Sequence, residues 1–259
     1  DVAVFGASAG YFAAVERQRA AAPIDVPSLK VLGSTGSPCA YRTFEWARDA
    51  IGDVPLVSTS GGTDLNGSLC TGNPWLPVRA GSLQCAGLGL DVDVRDAETG
   101  LRSLSAGSPG ELACPSPFPS APLFFKNDDP EAHSTYRGSY FDDAFGEGAV
   151  WRHGDWAEKD PHGGFVLHGR SDATLNAGGV RIGSAEIYNA LDGVVDVNDC
   201  LVVPQPIVKP DGRPDSRVVL FLVAPDDRFC DTEKSKERLA RLAAPAPAVV
   251  ARVKDALRS

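Results

Sequence analysis

The chain has 259 residues, 43% of them hydrophobic and 23% charged, which is the composition of a globular protein with up to two modest domains. Its net charge of -9 and pI near 4.9 argue against a nucleic-acid partner, because an acidic surface repels a phosphate backbone. No apolar run approaches the roughly 20 residues of a membrane-spanning helix and no basic-then-apolar leader opens the chain, so we expect a cytoplasmic protein without membrane contact.

The cysteines and methionines carry two further expectations. Six cysteines occur without a Cys-x-x-Cys pair, which argues against a zinc site or a disulfide framework and predicts free thiols. The chain has no methionine, and its opening run Asp-Val-Ala-Val-Phe5 resembles the interior of a longer protein. Either the chain is a fragment, as we expect, or modified methionines are missing from the sequence. The oligomeric state is left open.

Residues 1–75 alternate helical and extended patterns. The predicted helices are 12–22 and 44–51, and the predicted buried strands are 29–33 and 54–58. The small-residue loops 34–38 and 60–64 follow these strands. Ligands bind beyond the carboxyl ends of strands in parallel α/β sheets, so this lobe is predicted to bind its ligand at these two loops.

Residues 76–169 have a different texture, with short apolar runs separated by glycine and proline. This pattern predicts a small β-barrel or sandwich. Its predicted strands include 81–85, 90–94 and 110–114. The proline-rich stretch 116–122 and the polar stretch 128–147 are predicted to be surface loops.

Residues 170–259 change texture again and predict a small α+β lid, which we expect to be truncated. A glycine turn opens the segment. The predicted elements that follow are a helix over 184–191, strands over 199–203 and 217–223, a charged helix over 232–242, and another helix after the Ala/Pro-rich break at 243–248.

Thr63 and Asp64 follow two glycines at a predicted strand end. Glycine lets the backbone approach a phosphate, the hydroxyl can donate to it, and the carboxylate can face a divalent cation. Mg²⁺ prefers such oxygen ligands, shared with substrate phosphate. The competing interpretation is a simple glycine turn with a capping aspartate.

Further polar residues could contact a nucleotide. Asp155, in the run His-Gly-Asp, can accept two hydrogen bonds from the vicinal hydroxyls of a ribose. Arg170 and Arg181 bracket a glycine segment, and their guanidinium groups suit phosphate oxygens, although surface salt bridges would also explain them. Asp172 alone would be a turn residue. A thin ligand could pass against Gly178-Gly179, which lack side chains.

Taken together, these motifs resemble the adenylate-forming, acyl-CoA synthetase superfamily across nearly the whole chain. The matching motifs are Gly36-Ser-Pro38, Thr63-Asp64, His153-Gly-Asp155, Gly169-Arg-Ser-Asp172, Gly179-Val-Arg181-Ile and Glu186-Ile. The resemblance implies an α/β fold: part of the large N-terminal domain, with a parallel lobe over 1–75 and a β-barrel-like subdomain over 76–169, then the C-terminal α+β lid over 170–259.

The same resemblance implies a role for each site residue. The implied roles are adenine contacts for Gly36, Ser37 and Pro38, α-phosphate binding for Thr63, ribose binding for Asp155 with Arg170 beside it, phosphate contact in one lid position for Arg181, a lid hinge for Asp172, and a border of the CoA pantetheine channel for Gly178 and Gly179. Asp64 would stand where most relatives place a Mg²⁺-coordinating glutamate, with a shorter side chain.

The implied reaction has two stages. A carboxylate attacks the α-phosphorus of ATP and expels pyrophosphate, and CoA then displaces AMP from the acyl-adenylate. Alignment and charge neutralisation are the protein's main tasks, with a lid rotation between stages. The superfamily's phosphate loop and catalytic lysine should lie outside this chain, so we expect no useful adenylate formation by these 259 residues alone.

The predicted acid is acetoacetate. Runs such as Ser60-Gly-Gly-Thr-Asp64 and Trp151-Arg-His-Gly-Asp-Trp156 resemble the members that use it. Acetyl-CoA synthetases, which the chain also resembles, place a tryptophan at the position of Gly61, so Gly61 and Gly62 would leave room for a longer acid. The alternatives are a ligase for another short or medium acid, a non-catalytic nucleotide-binding fragment of the same fold, and an unrelated α/β protein.

Overall fold

The computed structural model shows a chain of two compact units, Asp1–Asp172 and Ala173–Ser259. The boundary falls at Asp172, the predicted hinge, while the three predicted domains remain predictions. No helix among the described residues has the length and apolarity to cross a membrane. The structure describes residues 2–19, 23–100, 102–141, 150–172, 175–177, 180–191, 194, 197, 199–208, 214–223 and 247–257.

The first unit begins with a three-stranded parallel sheet of order β1-β2-β3, which confirms the predicted α/β lobe. Its elements are β1 (Val4–Ser8), α1 (Ala9–Arg19), β2 (Val31–Thr35), α2 (Tyr41–Ile51) and β3 (Leu56–Ser58). Helix α1 begins earlier than predicted, where the Ser8 hydroxyl accepts the Tyr11 N–H as an N-cap. Residues 20–22 of that prediction lie outside the described residues. The buried side of α2 is centred on Ala47 and Ala50 and is flanked by Phe44 and Trp46, which pack into the core.

A second sheet, of order β4-β5-β6, follows directly. Its strands are β4 (Ser60–Gly62), β5 (Gly67–Thr71) and β6 (Cys85–Ala86), and β4 pairs antiparallel with β5. The prediction of a loop over 60–64 is therefore wrong for the first three residues. A Cβ atom on Gly61 would lie 2.0 Å from the Gly67 carbonyl oxygen, so only glycine permits this pairing.

The third sheet is antiparallel, of order β10-β9-β8-β7. Its strands are β7 (Asp93–Arg95), β8 (Gly110–Cys114), β9 (Trp151–Lys159) and β10 (Phe165–Arg170). Across the described residues this sheet does not close into a barrel, which corrects the barrel expectation. Besides its pairing with β9, β10 forms only an isolated bridge within the described chain, between Phe165 and Leu83. The predicted strand over 81–85 is wrong for most of its length, because Leu83 forms only this bridge and strand β6 begins at Cys85.

Helix α3 (Ser134–Tyr140) corrects the prediction of a loop over 128–147. The Asp128 carboxylate accepts the N–H groups of Thr135 and Tyr136, which satisfies the first turn of the helix. Residues 142–149 lie outside the described residues. The stretch 116–122 is a loop as predicted, although the Phe118 ring is buried against Trp151.

The described residues of the second unit form two antiparallel strand pairs and two helices. Its elements are β11 (Leu175–Ala177), β12 (Val180–Ile182), α4 (Ser184–Leu191), β13 (Asp199–Val208), β14 (Pro214–Val223) and α5 (Pro247–Ala256). Helix α4 has its predicted bounds, and β13 and β14 pair over their whole lengths, further than predicted. Among the described residues, its buried core consists of Ile187, Leu191, Val202 and Val253. The predicted helix 232–242 lies outside the described residues.

Candidate functional site

Asp155 and Arg170 are held opposite each other by the pairing of β9 with β10. Arg170 Nη1 lies 3.3 Å from Asp155 Oδ1 and donates to the His153 carbonyl at 3.2 Å. Gly154 has a φ of 82°, and a Cβ there would lie 2.6 Å from Arg170 Nη2. The glycine of the His-Gly-Asp run therefore lets the guanidinium lie against the backbone.

Ser60, at the start of β4, reaches the same carboxylate from the other side. Its hydroxyl donates to Asp155 Oδ2 at 2.9 Å, and both side chains are buried. A carboxylate oxygen can accept more than one hydrogen bond, so Asp155 is fixed and can still accept from a ligand. The sequence analysis did not assign Ser60 a role. Its position, at a strand end directly before two glycines, was the available signal.

His153 is buried between these elements. Trp151 Nε1 donates to His153 Nδ1 at 3.4 Å, so the neutral ring carries its proton on Nε2, which lies 3.7 Å from Asp155 Oδ2. Burial lowers the pKa of His153 and outweighs the opposing effect of Asp155, while Arg170 lowers the pKa further. The His153 ring is therefore neutral and packs beside the Asp155 carboxylate.

We expect His153 to make stability fall on acidification. In the unfolded chain histidine has a pKa of about 6.5. Below that pH the unfolded chain binds a proton at this position more readily than the folded chain, in which the pKa of His153 is lower. The free energy of unfolding should then drop by up to about 1.4 kcal/mol per pH unit as pH falls below that range. Urea unfolding of the full-length protein from pH 7.5 to 5 measures this. His153→Gln should flatten the dependence; equal slopes in the wild type and the variant would contradict the assignment.

Thr63 and Asp64 lie in the turn between β4 and β5, and both are exposed. The turn is closed by the Asn66 N–H, which donates to the Thr63 carbonyl at 3.1 Å. Asp64 Oδ2 accepts the Tyr140 hydroxyl at 2.6 Å. In the described part of the chain, no three His, Cys, Asp or Glu side chains group as metal ligands. A single carboxylate fits Mg²⁺ that takes its other ligands from substrate phosphate and water.

The loop Gly36–Pro38 follows β2. Gly36 adopts a φ of 87°, and no described atom lies within 4 Å of the position that a Cβ atom would take there. The Thr35 hydroxyl donates to the Thr59 carbonyl at 3.2 Å, and the Thr59 N–H donates to the Ser34 carbonyl at 2.8 Å. These bonds join the carboxyl ends of β2 and β3. Because Thr59 directly precedes Ser60, the predicted adenine loop and the Asp155 site belong to one edge of the first unit.

Glu111 is a buried carboxylate that the sequence analysis missed. Its side chain accepts the Ser171 hydroxyl at 3.0 Å and lies 3.4 Å from Arg152 Nε. Burial raises the pKa of Glu111, and the Arg152 charge opposes this. Glu111 therefore fixes the chain directly after Arg170. No sequence signal marked it, because its partners come from other strands.

Asp172 lies beyond this anchor, and Arg170 Nε is 3.4 Å from Asp172 Oδ1. Both side chains are more than half exposed, at 56% and 70%, so this ion pair contributes little stability. A weak contact at the end of the first unit is compatible with the predicted hinge, which remains a prediction.

The structure brings Asp155 and Arg170 together, while Arg181 belongs to β12 of the second unit. Gly178 and Gly179 lie outside the described residues. Gly61 and Gly62 lie beside the site, but the contact of Gly61 with β5 requires glycine whatever acid binds. The predicted acyl pocket therefore needs support other than the presence of glycine at position 61.

No family model matches the chain, whereas individual proteins match it in sequence and in structure. It is 47% identical over 223 residues to an acetoacetyl-coenzyme A synthetase of Rhizobium meliloti (strain 1021), which covers 85% of the chain and 32% of that protein. It is 39% identical over 246 residues to an acetoacetyl-CoA synthetase of Xenopus tropicalis, covering 93% of the chain and 34% of that protein.

A solved structure gives the same result. The acetoacetyl-CoA synthetase from Streptomyces lividans matches with a TM-score of 0.76 and 32% identity, over 99% of this chain and 35% of that one. In sequence and fold, the chain belongs to the adenylate-forming acyl-CoA synthetase superfamily. The relatives named above are acetoacetyl-CoA synthetases, and the chain spans about a third of their length.

Proposed function

We propose that this chain is part of an ATP-dependent acid-thiol ligase that joins acetoacetate to CoA through an acyl-adenylate, releasing AMP and pyrophosphate in the cytoplasm. The observation that carries the proposal is the Asp155 carboxylate, fixed by Ser60 at the start of β4 and by Arg170 at the end of β10. A buried carboxylate with free lone pairs suits the paired hydroxyls of a ribose. The homologues named acetoacetyl-CoA synthetase support acetoacetate as the acid.

In this proposal the turn after β4 faces the phosphates. The exposed Thr63 hydroxyl donates to the α-phosphate, and Gly36–Pro38 line the adenine. Arg170, which is half-exposed beside Asp155, contributes positive charge near the ribose and phosphate. Fixed donors and charges of this kind stabilise the phosphate as it gains negative charge, without reorganising during the reaction.

The implied cation is Mg²⁺, and Asp64 is the residue that would hold it. When bound, the cation neutralises phosphate charge. Asp155 orients the sugar, His153 stays neutral beside it, and Ser60 keeps its carboxylate fixed. Arg181 and the Gly178-Gly179 pair are proposed for the second stage, in which the lid turns about Asp172 and CoA enters along the glycines.

The acid specificity is tested by assaying AMP formation by the full-length protein with acetate, acetoacetate, butyrate and longer acids, each with ATP, Mg²⁺ and CoA. We expect acetoacetate to give the highest kcat/KM, by at least about tenfold over acetate, which is the scale of discrimination that differences in pocket size provide. A higher kcat/KM for acetate or for a longer acid would move the proposal to another carboxylic acid. No AMP with any acid would favour the non-catalytic alternative.

A further inference from the structure

Tyr140 contacts the candidate cation-binding carboxylate, although no motif of the sequence marks it. It is the last residue of α3, and its hydroxyl donates to Asp64 Oδ2 at 2.6 Å. The two residues are 76 positions apart in the sequence. A phenol that donates to a carboxylate over this short distance makes a charge-assisted hydrogen bond, which is stronger than a bond between neutral groups.

The ring that carries this hydroxyl is fixed by the core. Tyr140 stacks on Trp151 with ring centroids 3.7 Å apart and planes 12° from parallel. Trp151 is only 1% exposed and donates from its indole nitrogen to His153. The position of the Tyr140 hydroxyl is therefore set by a buried aromatic platform.

Asp64, by contrast, lies on an exposed turn. An exposed aspartate samples several side-chain orientations, and fixing it costs conformational entropy. The bond from Tyr140 selects one orientation before any ligand binds. It also engages Oδ2, while Oδ1 accepts no hydrogen bond from the described residues and can serve as one oxygen ligand for a divalent cation.

We propose that Tyr140 is a positioning residue: its hydroxyl holds Oδ2 of Asp64 and thereby presents Oδ1 to the divalent cation that accompanies ATP. The inference rests on the proposed function in one respect, the role of Asp64 toward that cation. It extends that function by joining the Asp64 turn to the Trp151–His153 pair beside Asp155, so that one platform supports both carboxylates.

The test uses the full-length protein and measures ATP binding by calorimetry over a series of Mg²⁺ concentrations, without any acid. Tyr140→Phe keeps the stacked ring and removes the hydroxyl. The Mg²⁺ concentration for half-maximal ATP binding should rise by up to about tenfold, because binding of the cation must then offset the cost of ordering the Asp64 side chain, about 0.5–1.5 kcal/mol. Tyr136→Phe is the matched control, because Tyr136 lies on the same helix and its ring centroid is 6.4 Å from that of Trp151. It should change the requirement less than about twofold.

Asp64→Asn supplies the second arm. It should raise the Mg²⁺ requirement at least as far as Tyr140→Phe, and the double variant should match Asp64→Asn alone, because Tyr140 acts through Asp64. Thermal unfolding of each variant checks that the fold is kept.

The possible outcomes distinguish the positioning role of Tyr140 from the proposed ligase function. If Tyr140→Phe matches the wild type or binds Mg²⁺·ATP more tightly, the inference is overturned whatever acid the enzyme uses. If Asp64→Asn leaves the Mg²⁺ requirement unchanged, Asp64 does not hold the cation and the inference falls with that role. If the predicted binding pattern appears but no acid yields AMP, the positioning role stands and the ligase proposal fails.

Discussion

Replacing Asp155 with asparagine is expected to raise the apparent KM for ATP by about 100-fold in the full-length protein. Asp155 is proposed to accept two hydrogen bonds from the ribose, and each bond to a charged acceptor contributes about 1.5–3 kcal/mol. Losing about 3 kcal/mol corresponds to about two powers of ten in affinity. The amide keeps the shape of the side chain but offers one acceptor oxygen instead of two.

The diagnostic measurement compares ATP with 2′-deoxyATP and 3′-deoxyATP in the AMP-forming assay. The wild type should discriminate strongly against both deoxynucleotides, and Asp155→Asn should lose most of that discrimination. Ser60→Ala, which removes the donor to Oδ2, should have an intermediate effect, and Glu98→Gln on an exposed turn should have none. If Asp155→Asn retained wild-type discrimination, Asp155 would not bind the ribose.

Trp151→Ala is expected to lower the free energy of unfolding by about 3–5 kcal/mol, the range for removing a buried tryptophan. Trp151 is 1% exposed and packs against Phe118, with ring centroids 5.3 Å apart, as well as against Tyr140. Its loss would leave a cavity in the third sheet and remove the ring on which α3 packs.

Denaturant unfolding followed by circular dichroism measures this effect. Trp151→Phe should show a smaller loss, because a second aromatic ring fills part of the space. Trp75→Ala is the matched control, since Trp75 is 89% exposed, and its unfolding free energy should stay within about 0.5 kcal/mol of the wild type. A Trp151→Ala protein as stable as the control would show that the aromatic cluster does not support this sheet.

The sequence predicted the parallel lobe well because its signals are local. Apolar runs for β2 and β3, an amphipathic pattern for α2 and small residues at the strand ends follow from periodicity and from glycine's conformational freedom. The same locality explains the errors. Helix α3 begins where Asp128 accepts backbone N–H groups from residues further along a polar stretch, and a polar stretch alone resembles a loop.

The sequence by itself determined the superfamily, the order of the motifs and the candidate residues Thr63, Asp64, Asp155 and Arg170, since each lies in a run whose chemistry is readable from neighbouring residues. Only the tertiary structure decided which side chains support them. Ser60, Glu111 and Tyr140 reach the site from strands and a helix distant in sequence, and Gly61 is required by its contact with β5. Such pairs depend on strand register and ring stacking, which no local pattern of residues encodes.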